Sequence, residues 1–318
     1  MRALLVVVVC LLAGLAVAAC GGSEAGQPAR VVLALDFTPN AVHAPLYEAV
    51  ENGRDRARGI RLEIREPGSG PDAVKLVASG RVDLGVLDIQ DLALARAQGT
   101  DLVGIAALVR RPLAALVAQP DVLRPRDLDG RRVGVSGLPS DPAFLAAVLR
   151  HDGGDPRTVK QVTIGFNAVG ALLSGRVAAV PAFWNAEGVA LTRHGLHVRE
   201  FRIDDYGAPR YPEVILMTAR RTLERRGPQL RAALAAIEAG RRDTLAHPAA
   251  AARVVAHAAR ARDTGLVRAQ LDAVADAFAP GLRLDRAILE RWADFDVRIG
   301  IVEHRPDVER AFDFRLRR

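Results

Sequence analysis

The chain has 318 residues and a net charge of +7, and half of its residues are hydrophobic, which is enough for two domains with large cores. It contains only two cysteines, Cys10 and Cys20, both near the N-terminus. The rest of the chain therefore lacks a disulfide bond, a cysteine-bound zinc and a thiol nucleophile. We predict no cofactor and no metal site, since His194 and His197 stand on either side of Gly195 and not on one helix face.

The N-terminus has the pattern of a bacterial export signal. Arg2 supplies one positive charge, residues 3–19 form an unbroken apolar run, and Cys20 follows directly after small residues. The sequence Val-Ala-Ala-Cys resembles a lipobox, in which the cysteine is lipidated and becomes the first residue of the mature protein. We predict a signal peptide at residues 1–19 and a lipid-anchored linker at residues 20–29. An ordinary signal peptide, or an anchor helix with an incidental cysteine, is the alternative.

The basic residues are spread along the chain with Asp and Glu between them, and only 4% of the residues are aromatic. A nucleic-acid-binding surface is instead marked by clustered basic residues, often with aromatic residues between them. Together with the export signal, this pattern predicts no nucleic-acid partner. A basic surface close to a lipid anchor suits the anionic surface of a membrane.

Strand and helix patterns alternate along the first two thirds of the chain. Short apolar or alternating runs predict the strands, and amphipathic runs bounded by Gly, Pro or Asp predict the helices. The predicted strands are 30–35, 60–65, 84–87, 102–109, 113–118, 132–135, 159–164, 177–182, 198–203 and 214–218. The predicted helices are 44–51, 71–79, 89–97, 141–153, 168–174 and 185–194, and the chain is almost entirely helical from residue 222.

This alternation predicts an α/β protein with mainly parallel sheets. The pattern occurs in two blocks, and we interpret them as two lobes around a cleft, with a helical C-terminal region. Lobe 1 would comprise residues 30–120 and 219–318, and lobe 2 residues 121–218. In open α/β sheets ligands bind at the carboxyl ends of the strands, so the predicted binding site is the cleft between the lobes.

A polar segment directly follows the first predicted strand and precedes a helix. It places Asp36, Phe37, Asn40 and His43 within eight residues at the carboxyl end of a strand. An acid, an aromatic ring, an amide and an imidazole are suited to holding a small polar ring. The alternative is an ordinary loop in which Thr38 or Asn40 caps the helix.

A second segment of this kind lies in the predicted lobe 2. Phe183 and Trp184 end a strand, and Glu187 falls in the first turn of the next helix. Two adjacent aromatic residues at such a turn point in different directions, so that one of them is free to stack on a ligand. Core packing of the rings and a favourable helix-dipole position for the acid are the alternative. Ser140, ahead of another helix, is a further candidate as a cap or a ligand contact.

These segments resemble the thiamine-pyrimidine-precursor binding proteins, which are solute-binding components of bacterial ABC importers. The opening LDFTPNAVH matches a family motif in which the aromatic position is more often Trp. The resemblance extends over about residues 30–220. Its other segments are LVASGRVDLG at 76–85, QDLALARAQG at 90–99, DLDGRRVG at 127–134, FWNAEG at 183–188 and DYGAP at 205–209. Two positions depart from the family pattern, namely Phe37 and Ala186, where Trp is common.

The resemblance implies a type II periplasmic-binding-protein fold that closes on its ligand, and a transport function without catalysis. By position, Asp36, Phe37, Asn40, His43, Trp184 and Glu187 would face the cleft. The protein would be an extracytoplasmic, membrane-anchored monomer that delivers a solute to ABC permease subunits. Related eukaryotic proteins synthesise the thiamine pyrimidine with a cysteine-rich motif, and this chain has no cysteine in the part expected to fold. The absence of cysteine counts against such an activity. A pyrimidine-synthesis enzyme is nevertheless the alternative from another functional class.

The two cleft segments contain carboxylates and no Arg or Lys, so we predict a heteroaromatic ligand whose edge carries amino donors. An aminopyrimidine precursor of thiamine fits this description. Riboflavin would stack on the same aromatic residues, and a sulfonate would require cations or free backbone N–H groups. Both remain as alternatives.

Overall fold

The computed structural model describes residues 27–66 and 72–316. The predicted signal peptide and Cys20 lie outside these ranges, as does most of the predicted linker. The strands are β1 Ala29–Ala34, β2 Ile60–Arg65, β3 Leu84–Asp88, β4 Leu102–Ala107, β5 Ala114–Ala118, β6 Arg132–Val135, β7 Lys160–Thr163, β8 Ala179–Phe183, β9 Arg199–Arg202 and β10 Val214–Ala219.

The helices follow the predicted alternation and then fill the C-terminal region. They are α1 Ala44–Glu51, α2 Asp72–Ser79, α3 Ile89–Ala97, α4 Asp141–His151, α5 Ala168–Leu173, α6 Val189–Arg193, α7 Arg220–Ala246, α8 Pro248–Ala258, α9 Thr264–Val274, α10 Arg286–Ile299 and α11 Val308–Ala311. A π-helical turn, Trp184–Gly188, replaces the first part of the helix predicted at 185–194. No helix in the described part of the chain has the length and apolar content to cross a bilayer.

The first sheet has the strand order β2-β1-β3-β10-β4, and only β10 runs antiparallel to its neighbours. Its interior strand β1 reads as a continuous apolar run because both of its faces are covered. Val31 and Leu33 pack into one core cluster, whereas Val32 and Ala34 pack into another, as the period of two along a strand requires. Helices therefore cover the sheet on both sides.

The second sheet has the order β7-β6-β8-β5-β9. In this sheet β6 pairs in parallel with β7 and β8, and β5 pairs antiparallel with β8 and β9. In each sheet one strand of five opposes the rest, so the prediction of mainly parallel sheets is confirmed. Each sheet consequently presents the carboxyl ends of several strands along one edge.

The predicted lobe boundaries at residues 120 and 218 are wrong by one strand each. Strand β5 belongs to the second sheet and β10 to the first, so the chain crosses between the sheets at residues 108–113 and 203–213. Both strands are antiparallel members of their sheets, and an apolar run in the sequence carries no information about which sheet it will join. We refer to residues 108–113 and 203–213 as the first and second crossing segments.

The long helix α7 packs against α1 through a glycine. A Cβ atom on Gly240 would lie 2.7 Å from the backbone nitrogen of Ala49 and still closer to the carbonyl oxygen of Pro45. These atoms belong to the backbone of α1, so no side-chain rotation relieves the clash. The close approach of the two helices therefore depends on the absence of a side chain at residue 240.

We expect Gly240→Ala to lower the free energy of unfolding by about 1–3 kcal/mol, the usual cost of overpacking a core. In an unconstrained helix the same change stabilises by roughly 1 kcal/mol, so the sign of the effect is diagnostic. Urea denaturation measures it. Gly227→Ala is the control for a glycine with room for a side chain, because its nearest neighbour is the flexible end of Arg231 at 3.7 Å. Gly227 lies at the kink before Pro228, so we expect a small effect there and not a gain in stability. Equal effects of the two variants would contradict this packing.

Candidate functional site

The carboxyl ends of strands from both sheets meet across a cleft. Phe37, which follows β1, contacts Phe166, which follows β7, with ring centroids 5.3 Å apart and an interplanar angle of 61°. Phe166 is 59% exposed, so this edge-to-face pair lies at the surface. Sequence reasoning found Phe37 and missed Phe166. Each ring follows a strand that pairs in parallel with its neighbour in its own sheet. The pair joins the two lobes at the cleft.

The loop after β1 is organised by internal hydrogen bonds. The Nε2 of His43 lies 2.8 Å from Oδ1 of Asp36, and its Nδ1 accepts the backbone N–H of Asn40 at 3.2 Å. This arrangement places the ring proton on Nε2, which donates to the carboxylate. The side chain of Asn40 accepts the N–H of Val42 at 2.9 Å and caps the turn Ala41–His43.

The four predicted residues of this loop differ in their burial and in their hydrogen bonds. His43 is 1% exposed and holds the loop from inside, and Asn40 is half-buried at the cap. Asp36 and Phe37 are also half-buried, and the N–H of Phe37 donates to Oδ1 of Asp36 at 2.8 Å. Asp36 and Phe37 are therefore the members of this segment best placed to meet a ligand.

Three further carboxyl groups gather at the same edge of the first sheet, and sequence reasoning missed all of them. Asp88 ends β3, Asp91 lies in the first turn of α3, and Glu213 directly precedes β10. Burial raises the pKa of Asp91 to about 6 and that of Glu213 to about 7, and it raises the pKa of Asp88 well above its ordinary value. The charge of Asp36 adds to the shifts at Asp88 and Asp91. This edge of the first sheet is therefore rich in buried carboxyl groups, and their raised pKa values make them easier to protonate.

Glu213 and an ion pair also tie the two crossing segments together. The carboxylate of Glu213 accepts the backbone N–H groups of Leu113 and, at 2.7 Å, of Ala114. Arg111 donates to the fully buried side chain of Asp204 at 2.7 Å. Both contacts join residues about 100 positions apart in the chain, which fixes the connection between the sheets.

In the second lobe, Phe183, Trp184 and Glu187 come together at the carboxyl end of β8, as predicted. The Oε2 of Glu187 accepts the N–H of Phe183 at 3.0 Å, and burial raises the pKa of Glu187. Trp184 is 5% exposed and donates its indole N–H to the carbonyl of Pro112 at 3.1 Å. The guanidinium of Arg202 lies 4.2 Å from the ring centroid. The protein itself therefore occupies much of the Trp184 ring, while Phe183 is half-buried.

The loop before α4 is folded around an acid. Oδ2 of Asp141 accepts the hydroxyl of Ser136 at 2.7 Å, the N–H of Gly137 at 2.8 Å and the N–H of Leu138 at 3.1 Å. Ser140 is half-buried, and its side chain makes no capping hydrogen bond. The N–H groups of Gly137 and Leu138 in this loop are thus taken by Asp141 and are not available to an external anion.

No group of His, Cys, Asp or Glu within residues 27–66 and 72–316 has the arrangement of a metal site. The arrangement at the cleft can instead contact a small flat molecule with the rings of Phe37 and Phe183, and accept hydrogen bonds from its edge with carboxyl groups.

Comparison with known families identifies the chain. The sequence profile of the family described as "NMT1/THI5 like" matches residues 40–251, more than half of the chain. The chain belongs to the NMT1/THI5-like family. One relative, the formylaminopyrimidine-binding protein of Halalkalibacterium halodurans, is 34% identical over 228 residues, which cover 70% of this chain and 69% of that protein.

A second relative carries the name of an enzyme. The 4-amino-5-hydroxymethyl-2-methylpyrimidine phosphate synthase of Legionella pneumophila is 30% identical to this NMT1/THI5-like chain over 169 residues, which cover 51% of the chain and 52% of the synthase. Among solved structures, the alkanesulfonate-binding protein SsuA from Xanthomonas axonopodis pv. citri, bound to MOPS, matches with a TM-score of 0.71. It is 19% identical and covers 90% of this chain and 99% of that one. The predicted periplasmic-binding-protein fold is confirmed.

Proposed function

We propose that this NMT1/THI5-like protein is the extracytoplasmic solute-binding component of an ABC importer and that its cleft binds an aminopyrimidine precursor of thiamine. The observation that carries the proposal is the set of carboxyl groups at the strand ends, Asp36, Asp88 and Asp91 in one lobe and Glu187 in the other. A relative named for formylaminopyrimidine binding supports the same ligand class.

The chemistry of an aminopyrimidine suits this cleft. Its flat faces are apolar enough to contact Phe37 and Phe183, and its amino group needs acceptors when the cleft closes, because an unpaired buried donor costs about 1–3 kcal/mol. Glu187 and Asp36 offer such acceptors. A carboxyl group with a raised pKa also donates once it is protonated, so that it can match a ring nitrogen.

Sulfonate binding, the function named for the SsuA structure, receives less support here. The nearby cations Arg111 and Arg202 are paired with Asp204 at 2.7 Å and Glu200 at 2.8 Å. Asp141 takes up the N–H groups of Gly137 and Leu138 in the loop before α4, as described above. An anionic ligand would therefore meet carboxylates where it needs positive charge.

Catalysis also receives less support than binding, although some relatives are named synthases. In this chain both ring nitrogens of His43 are engaged within the loop, and the described residues include no cysteine. We propose binding and release without turnover. Incubation of the protein in a cell extract without added pyrimidine, followed by mass spectrometry, tests this directly. Formation of a pyrimidine phosphate beyond that in the extract alone would support the enzyme alternative.

We expect Glu187→Gln to weaken aminopyrimidine binding about tenfold or more, because hydrogen bonds to a charged acceptor contribute about 1.5–3 kcal/mol. Isothermal calorimetry with an aminopyrimidine, riboflavin, thiamine and taurine measures both affinity and preference. Glu303→Gln, at an exposed position, is the matched control and should bind as wild type does. Tight taurine binding by the wild type, or equal aminopyrimidine affinity in both variants, would refute the assignment.

We further propose that Cys20 carries the lipid that anchors the protein, and that the protein acts as a monomer which delivers its ligand to the permease. The anchor is supported by the sequence pattern at residues 1–20. Cys20→Ser is expected to move the protein from the membrane fraction to the soluble fraction, since stable anchoring depends on the acyl chains. Fractionation followed by immunoblotting measures this. Retention of the variant in the membrane through a high-salt wash would contradict the lipid anchor.

A further inference from the structure

Asn185 is a buried amide without a protein partner at the edge of the proposed site. The residue is 0% exposed, and neither its Oδ1 nor its Nδ2 has a hydrogen-bond partner in the described part of the chain. Buried polar groups of folded proteins are almost always paired, because an unmade hydrogen bond inside the protein costs free energy. This amide therefore needs an explanation.

The surrounding polar groups do find partners. The indole of Trp184 donates to Pro112, Glu187 accepts the N–H of Phe183, and Gln270 of α9 donates to the carbonyl of Ala186 at 3.1 Å. Among the described side chains of this turn, Asn185 is thus the one whose buried polar atoms lack a hydrogen-bond partner.

The backbone at Asn185 is unusual as well. Residues Trp184–Gly188 form a π-helical turn directly after β8. Such turns are rare and occur frequently at functional sites, where the inserted residue changes the direction of the side chains around it. Asn185 is the second residue of this turn, two positions before Glu187. The turn lies at the carboxyl end of a sheet strand, where ligands of this fold class bind.

We propose that Asn185 is a specificity-determining residue of the cleft, whose amide pairs with the polar edge of the heteroaromatic ligand. Its Oδ1 accepts a hydrogen bond from the exocyclic amino group, and its Nδ2 donates to the adjacent ring nitrogen. The amide offers one acceptor and one donor side by side, which is the complement of an amino group next to a ring nitrogen. This inference rests on the proposed function, because it assumes that the ligand is such a ring.

The test compares wild type with Asn185→Leu, which has a similar volume and no polar atoms. Thermal unfolding without ligand and calorimetry with two ligands are measured, an aminopyrimidine and the same ring without its amino group. We expect the variant without ligand to unfold at the same or a higher temperature, since it no longer buries an unpaired amide. We expect its affinity for the aminopyrimidine to fall about tenfold or more, with a smaller change for the ring that lacks the amino group.

The outcomes separate this inference from the proposed function. If wild type binds no aminopyrimidine, the proposed function fails. If wild type binds it and the variant binds equally well, Asn185 is not a ligand contact and the inference is wrong. A variant that unfolds at a lower temperature but keeps full affinity would show that the amide is structural, held by a water molecule.

Discussion

Replacing Trp184 with alanine is expected to lower the free energy of unfolding by about 3–5 kcal/mol, the cost of truncating a buried aromatic side chain. The ring is 5% exposed, and its N–H donates to Pro112 in the first crossing segment. Its truncation leaves a cavity and an unpaired carbonyl between the second sheet and this segment, and it removes the stacking partner of Arg202. Equilibrium denaturation in urea, followed by circular dichroism, measures the loss.

Trp184→Phe separates the two contributions. It keeps most of the apolar volume and loses only the indole N–H, so we expect a cost of about 1–2 kcal/mol. A loss below about 1 kcal/mol for the alanine variant would mean that the ring is not part of the core. In that case Trp184 would instead face the cleft and be free to stack on the ligand, as the resemblance implies.

Raising the pH from 5 to 9 is expected to reduce the free energy of unfolding by several kcal/mol. Burial raises the pKa of Asp296 to about 8, that of Glu213 to about 7 and that of Asp91 to about 6. In the unfolded chain these groups ionise near pH 4. Below that pH both states hold the protons, and the stabilising contribution is complete. This stabilising contribution is lost as the pH rises through the pKa values of the folded state, because folding then requires either a buried charge or the uptake of a proton.

Asp296→Asn tests the origin of this dependence. Its side chain is fully buried on α10, so the neutral amide should flatten the stability profile above pH 6 and raise the stability at pH 9. Asp294→Asn, on the same helix but exposed and paired with Arg305, is the matched control and should leave the profile unchanged. The free energy of unfolding is expected to fall below pH 4 in all variants, because the hydrogen bonds with Arg157 lower the pKa of Asp155 to about 2. A profile that rises between pH 5 and 9 would contradict the buried protonated carboxyls.

Local patterns predicted most of the elements of this fold. The apolar run of β1 and the alternating residues of β2 reflect burial on two faces and on one face, and such patterns are visible in any short window. The sheet membership of β5 and β10 was not predictable in this way. Antiparallel insertion is decided by packing between residues far apart in the chain, and both strands are apolar runs that suit either sheet.

The carboxyl groups at the strand ends were predictable only in part. Asp36 and Glu187 each lie in a compact segment with its own sequence signal, and their place in a ligand site stays a prediction. Asp88 and Glu213 are unremarkable in sequence, and only the pairing of β3 with β10 brings them together, with Asp88 opposite Val214. The role of His43 inside the loop could not be predicted either, because hydrogen-bond directions depend on the folded backbone.

A crystal structure of the protein with an aminopyrimidine tests the central claim most directly. The account predicts density for the ring in the cleft between the two sheets, in contact with Phe37 and Phe183. It also predicts that the amino edge lies within hydrogen-bond distance of Glu187 or Asp36. An empty cleft at saturating aminopyrimidine, with taurine or riboflavin bound there under the same conditions, would contradict it.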